Sequence, residues 1–184
     1  MPLSEQYAIK EALQGVASGS SLLDIGSGYG RLFPFYHSLG FIITGCEPNK
    51  EYATYLRGSY PNTLVLPVTV QNLSEGNIYD IACVSYTLLN MFHFTDQELI
   101  LRKLCKIAKR VVIDVYVAHP SKDKRVIIED LSDYGVDYQL TAYLRTKAWY
   151  EHMGKEMGKK VSFVWYTFTK NWWVPVQHTL VTYQ

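Results

Sequence analysis

The chain has 184 residues, 48% of them apolar and 19% charged, with a formal net charge of +1. That composition excludes a disordered chain, and the near-neutral balance offers no general attraction to nucleic acid. No apolar run reaches the ~18 residues that a membrane span requires. The start, MPLSEQYAIKEAL, lacks a basic patch followed by an apolar core, so no export signal is expected. Cys46, Cys83 and Cys105 are odd in number and lie in apolar surroundings, as reduced core thiols of a cytoplasmic protein would.

In chain order, Ile9, Ala12, Leu13 and Val16 form an apolar stripe that predicts an amphipathic helix over 4–17. Ser21 to Asp24 is the first strand. Glycines 26, 28 and 30 then form a turn, and a helix from Gly30 to Leu39 follows, with Leu32, Phe35, Tyr36 and Leu39 at helical spacing and Pro34 in its first turn. Phe41 to Glu47 is the second strand. Asn49 is placed to cap a third helix with Tyr52, Tyr55 and Leu56 toward the core. Thr63 to Val68 is the third strand, and Tyr79 to Ser85 the fourth, a nearly continuous apolar run. Thr95 and Glu98 have capping-box spacing and predict the start of a long helix, with Leu101, Leu104, Cys105 and Ala108 inward and Arg102, Lys103, Lys106 and Lys109 outward. Val111 to Val117 is the fifth strand. The stretch 118–145 is less regular. Thr146 then caps a helix ending at Gly154 or Gly158, and Val161 to Thr169 with His178 to Tyr183 suit an antiparallel hairpin. Five alternations of strand and helix predict a parallel sheet covered on both faces, in one domain spanning 1–184 with 118–145 as a substrate-side insert.

The chemistry concentrates at LDIGSGYG, residues 23–30. Glycines let a ligand approach backbone where a Cβ would collide. A dinucleotide site has the spacing G-x-G-x-x-G and cradles a diphosphate on the helix N-terminus. Here the spacing is G-x-G-x-G, and Arg31 stands where the third glycine should be. Asp24 would repel a diphosphate but attract an ammonium. Glu47, closing the next apolar run, can take the two hydroxyls of a ribose. These residues favour S-adenosylmethionine over a dinucleotide.

LLDIGSGYGRL followed by CEPN resembles the first motif and its acidic partner in the class I S-adenosylmethionine-dependent methyltransferases. IYDIACVSYTLLNM resembles that family's fourth strand, and FTDQELILRKLCKIAKRVVIDVY its following helix and fifth strand. The resemblance implies an α/β, Rossmann-like, doubly wound seven-stranded sheet, mostly parallel, with a C-terminal antiparallel hairpin. It implies S-adenosylmethionine as cofactor, with Asp24, Gly26 and Gly28 along its methionine part and Ser27 and Gly30 in the same contact turn. Glu47 would bind the ribose and Pro48 pack on the adenine. Many members carry an aspartate after the third strand; this chain has LPVTVQNL, so Val70 and Gln71 are the candidates there. Ser85 and Tyr86, ending the fourth strand, would approach the methionine carboxylate or sulfonium.

Members that methylate base amino groups often carry an Asn/Asp-Pro-Pro-aromatic motif after the fourth strand. Here that place reads Ser-Tyr-Thr-Leu-Leu, which disfavours a nucleic-acid acceptor. The expected reaction is in-line methyl transfer to nitrogen or oxygen of a small molecule, under a lid built from 118–145 that a second copy in a homodimer could complete. The candidate catalytic residues are His93, His119 and Tyr86. The histidines could accept a proton at neutral pH, though each also reads as a loop or packing residue. Tyr116 and Tyr143 could line the acceptor pocket. Two other readings stand beside this one: an S-adenosylmethionine-binding protein that regulates or performs other chemistry, and a protein side-chain methyltransferase. The cysteines and histidines lack zinc spacing, so no metal is expected. There is no P-loop and no Gly-x-Ser-x-Gly elbow.

Overall fold

Strands that are apolar on both faces need cover on both sides, and this requirement organises the fold. The computed structural model describes residues 3–76, 78–85, 88–118, 122–130, 139–170 and 174–184. Among these, β1 (Ser21–Ile25), β2 (Ile42–Cys46), β3 (Leu64–Leu66), β4 (Tyr79–Val84) and β5 (Ala108–Val115) run parallel. Strands β8 (Val161–Lys170) and β9 (Val174–Tyr183) complete one seven-stranded sheet in the order β3-β2-β1-β4-β5-β9-β8. Strand β9 is antiparallel to both of its neighbours. This is the doubly wound, mostly parallel sheet with a C-terminal antiparallel hairpin that the sequence predicts.

Successive residues of each strand serve opposite faces. Leu22, Ile43, Ile81, Val112 and Leu180 pack with α1 (Leu3–Ala12), α2 (Phe33–Ser38) and α3 (Lys50–Ser59) through Ala8, Ile9, Phe33, Tyr36 and Leu56. Leu23, Ala82, Val111, Ile113 and Val181 pack on the other face with α4 (Phe94–Ile107) and α5 (Lys147–Glu156) through Leu101, Leu104, Ile107, Tyr150 and Met153. Each fully buried side chain of this size contributes roughly 2 kcal/mol. Asn49 caps α3, its Oδ1 accepting from the N–H groups of Glu51 (2.9 Å) and Tyr52 (3.3 Å), and the Thr146 hydroxyl accepts from Trp149 N–H (3.2 Å) at the start of α5.

The structure corrects four local expectations. Helix α1 ends at Ala12 rather than residue 17, because the chain turns at Gly15, whose φ of 80° a helix cannot accommodate. Helix α4 is capped by His93, which accepts from Thr95 N–H, and not by a Thr95–Glu98 box; Glu98 instead takes the guanidinium of Arg102 one turn on. Tyr55 lies at the surface against Tyr29, not in the core. The stretch 118–145 holds a second sheet, the hairpin β6 (Lys124–Asp130) and β7 (Gln139–Leu144), with an irregular step between Ile127 and Glu129.

That hairpin is fastened at its base by buried amides. Asn90, fully buried in the 3-10 turn Leu88–Met91, donates to the carbonyls of Tyr116 (3.2 Å) and Tyr143 (3.1 Å) and accepts from Tyr116 N–H (2.8 Å). Gln97 of α4 donates to the carbonyls of Tyr143 (2.7 Å) and Phe92 (2.9 Å). Arg145 is sandwiched between the Phe94 and Trp149 rings and paired with Asp123 at 2.6 Å. Replacing Asn90→Ala removes these three bonds from the interior, while Gln97 still serves the Tyr143 carbonyl. The expected loss is about 2–4 kcal/mol, measured as a lower urea midpoint with unchanged slope.

Candidate functional site

The carboxyl ends of β1, β2 and β4 form one rim because the parallel register sets Ile25 beside both Cys46 and Val84. The chain leaves β1 in a turn held to β2: the N–H groups of Gly26 (2.8 Å) and Ser27 (3.3 Å) both donate to the Cys46 carbonyl. Gly26 has φ of 70°, and a Cβ there would collide with the Leu88 side chain. Gly28 has φ of 53°, and a Cβ there would meet nothing within 4 Å, so the backbone at this point faces open space.

That space is a cleft of about 460 Å³ on the α4 side of the rim. It is lined by Gly26 and Gly28 from the turn after β1, by Glu47, Pro48 and Tyr52 from the end of β2 and from α3, by Thr69, Val70 and Gln71 from the segment after β3, and by Leu88 and Phe92 from the segment after β4. Glu47 is buried, and its carboxylate is fixed by two backbone donors, Gly28 N–H at 2.8 Å and Asn49 N–H at 2.9 Å. The Cys46 thiol beside it donates to the Val68 carbonyl, and burial pushes that thiol up to about 12, so it stays protonated.

Asp24 lies under the glycine turn, 3% exposed, and its Oδ1 has no hydrogen-bond partner among the described residues. Burial pushes its carboxyl up to about 7. The Ser27 hydroxyl and the Arg31 charge pull it down again, and Glu47 raises it. The Ser27 hydroxyl also donates to the Asp24 carbonyl at 2.9 Å, and Arg31 forms a two-pronged pair with Glu5 of α1, both contacts at 2.7 Å.

Of the residues singled out in the sequence, the structure brings Gly26, Gly28, Glu47, Pro48, Val70 and Gln71 together on the cleft wall. Ser27 is buried behind the turn. Gly30 lies away from the cleft, where a Cβ would strike Leu56 and Tyr60, so it serves helix packing. Ser85 borders a separate small void on the α1 face. His93 sits at the start of α4 with its ring against Phe94 and Tyr143. Tyr86 and His119 lie outside the described residues. Tyr52, Thr69, Leu88 and Phe92 line the cleft without having been singled out; Leu88 and Phe92 carry only the apolar character of any core residue, which is no signal of a site. Among the described residues no cluster of three metal-ligating side chains forms, and no helix is long and apolar enough to cross a membrane.

No protein-family model matches the chain, and no curated protein matches it by sequence. Solved structures do match it. A Burkholderia thailandensis 1,6-didemethyltoxoflavin-N1-methyltransferase, holding 1,6-didemethyltoxoflavin and S-adenosylhomocysteine, superposes with a TM-score of 0.74 at 13% identity, over 98% of this chain and 77% of its own. A magnesium protoporphyrin IX methyltransferase from Synechocystis, with S-adenosylmethionine bound, gives 0.69 at 13% identity over 98% and 77%. An amino pentose methyltransferase of calicheamicin biosynthesis from Micromonospora echinaspora gives 0.66 at 12% identity over 98% and 89%. The chain is thus built on the fold of the class I methyltransferases.

The buried carboxylate gives a stability test independent of any ligand. Between about pH 4 and pH 7 the folded chain keeps a proton on Asp24 that the unfolded chain has lost, so stability falls as pH rises through that window and levels off above it. Above pH 7 the ionised group costs up to about 4 kcal/mol. Asp24→Asn is therefore expected to raise the melting temperature at pH 8 and to change it little at pH 4, as measured by calorimetry at both values.

Proposed function

We propose that the cleft and the adjoining glycine turn bind S-adenosylmethionine, and that the chain transfers its methyl group to nitrogen or oxygen of a small-molecule acceptor. The observation that carries this reading is Asp24, a buried carboxylate with an unpartnered oxygen at the foot of a left-handed glycine turn. An uncompensated buried charge is costly, and a ligand ammonium is the natural partner for it. The methionine amino group would supply that ammonium. Glu47 is already oriented by two backbone N–H groups, and each of its oxygens retains lone-pair capacity for a ribose hydroxyl. The base would lie against Pro48 and Val70. The Gln71 backbone carbonyl is taken by Lys103, which leaves the Gln71 side-chain amide for the base. Gly30 drops out of this set because it faces the helices.

When bound, the cofactor supplies a methyl carbon already activated by a positive sulfur, so this chain has to align the nucleophile and exclude water. The small-molecule acceptors named for the toxoflavin, porphyrin and amino pentose enzymes support the choice of a small acceptor over a macromolecule. The three free thiols fit a reducing compartment, and we assign the chain to the cytoplasm on that ground.

Isothermal titration with S-adenosylmethionine and S-adenosylhomocysteine tests the reading. Both are expected to bind, and Glu47→Ala to weaken both by about 10- to 100-fold, the worth of one hydrogen bond to a charged group. Since Asp24 must lose its proton to take an ammonium, binding should tighten about fivefold from pH 6 to pH 7 and release a proton at the lower pH. Absence of binding, or an unchanged affinity in Glu47→Ala, would sink the reading.

A further inference from the structure

Gly26 and Gly28 both lack a side chain, and the space this frees is used differently at the two places. At Gly28 it is open. At Gly26 it is filled by the Leu88 side chain, whose Cδ2 would collide with a Cβ built there. Leu88 comes from the segment after β4, so it reaches across from the end of β4 to the turn that ends β1. It also lines the cleft.

The residues assigned to the cofactor lie on both faces of the sheet at this rim. Along β1, Leu23 and Ile25 belong to the α4 face, Leu22 to the α1 face, and Asp24 by alternation shares the side of Leu22. Burial pushes the Tyr36 hydroxyl and the Cys83 thiol of the α1-side core up, and the charge of Asp24 adds to both. Glu47, Pro48 and Val70 line the cleft on the other side. A ligand that reaches from the cleft to the unpartnered Asp24 oxygen must therefore pass over Gly26, between the ends of β1 and β4. Leu88 rests in that passage.

The turn that carries Leu88 is fixed behind it. Leu89 and Asn90 are fully buried, and Asn90 holds the Tyr116 and Tyr143 backbones by three hydrogen bonds. Leu88 itself is half-buried, at the outer end of the turn. Moving its side chain between staggered rotamers breaks no hydrogen bond. The move uncovers apolar surface, so the side chain stays on Gly26 until a ligand displaces it.

We propose that Leu88 is a side-chain gate between the two halves of the cofactor site, closed on Gly26 in the free chain and swung aside only by a ligand that carries an amino acid beyond its nucleoside. The proposal rests on the S-adenosylmethionine reading above and adds a selection step to it. A nucleoside without the amino acid fills the cleft and leaves the gate shut. The complete cofactor brings an ammonium to Asp24, and that attraction offsets the opening. Its affinity is reduced in proportion to the fraction of chains whose gate is open.

The test compares S-adenosylhomocysteine with methylthioadenosine, which ends just beyond the sulfur and has no amino acid. In leucine methyl-labelled protein the Leu88 methyl signals are identified by their loss in Leu88→Met. A nuclear Overhauser contact from these methyls to the Gly26 α-protons is expected in the free chain and with methylthioadenosine, and is expected to vanish with S-adenosylhomocysteine. By titration calorimetry, Leu88→Ala should raise the ratio of S-adenosylhomocysteine to methylthioadenosine affinity about tenfold. An unchanged or lower ratio marks Leu88 as a fixed wall and overturns the proposal. So does a Gly26 contact that persists with S-adenosylhomocysteine bound, which is read on the wild-type chain. Binding with the gate still shut thus overturns the gate alone, whereas failure of both ligands to bind overturns the cofactor reading and the gate with it.

Discussion

One carboxylate holds both walls of the cleft. Glu47 takes the N–H of Gly28 from the turn after β1 and the N–H of Asn49 from the start of α3. Two segments that are covalently remote at this point thus share a single anionic acceptor, and hydrogen bonds to a charged group are about twice as strong as neutral ones. The Cys46 carbonyl, one residue earlier, accepts from Gly26 and Ser27. The glycine turn is therefore shaped by the end of β2 before any ligand arrives. The rest of the site follows from this constraint: Gly28 faces open space, Leu88 closes on Gly26, and Pro48 is presented beside the turn.

A fold gains little from burying a lone charge, so the places where it does so are informative. Asp24 and Asp114 sit on the same face of the sheet, two strands apart at its carboxyl rim, and they are handled differently. Asp114 has an internal partner in His178. Asp24 has only the weak compensation of Ser27 and the distant Arg31 charge, and its carboxyl is driven up to about 7. The first is a closed pair; the second keeps an oxygen with no hydrogen-bond partner among the described residues.

The glycine turn and the carboxylate that holds it were legible in the sequence because they are local. Asp24, Gly26, Gly28, Glu47 and Asn49 lie within one strand–helix–strand passage, and each has a backbone reason for its identity: positive φ, a strand end, a helix cap. The parallel sheet was legible for the same kind of reason, since runs such as IACV and VVI tolerate no solvent face. Local signals also misled. Thr95 and Glu98 have capping-box spacing, but the chain enters α4 two residues too early for them, and Glu98 is better used by Arg102. In the segment LysArgValIleIleGluAsp the charges at both ends obscured strand β6, whose pairing with β7 is fixed by anchors elsewhere, at Asn90, Gln97 and Arg145.

The Asp114–His178 pair and the β6–β7 hairpin are joined the opposite way, through contacts that no short window contains. Asp114 and His178 are 64 residues apart in sequence and meet only because β9 is inserted antiparallel beside β5. The β6–β7 hairpin reaches its place through the backbone of Tyr143, which two amides from the region after β4 hold. Neither assembly depends on Glu47 or the glycine turn. Residues at these places can therefore be exchanged without disturbing the local geometry of the glycine turn. The three compared methyltransferases share the fold at 12–13% identity and act on acceptors as unlike as a porphyrin and an amino pentose. A turn written in nearly consecutive residues can be read from sequence, whereas contacts assembled from distant residues can be read only once the strands are paired.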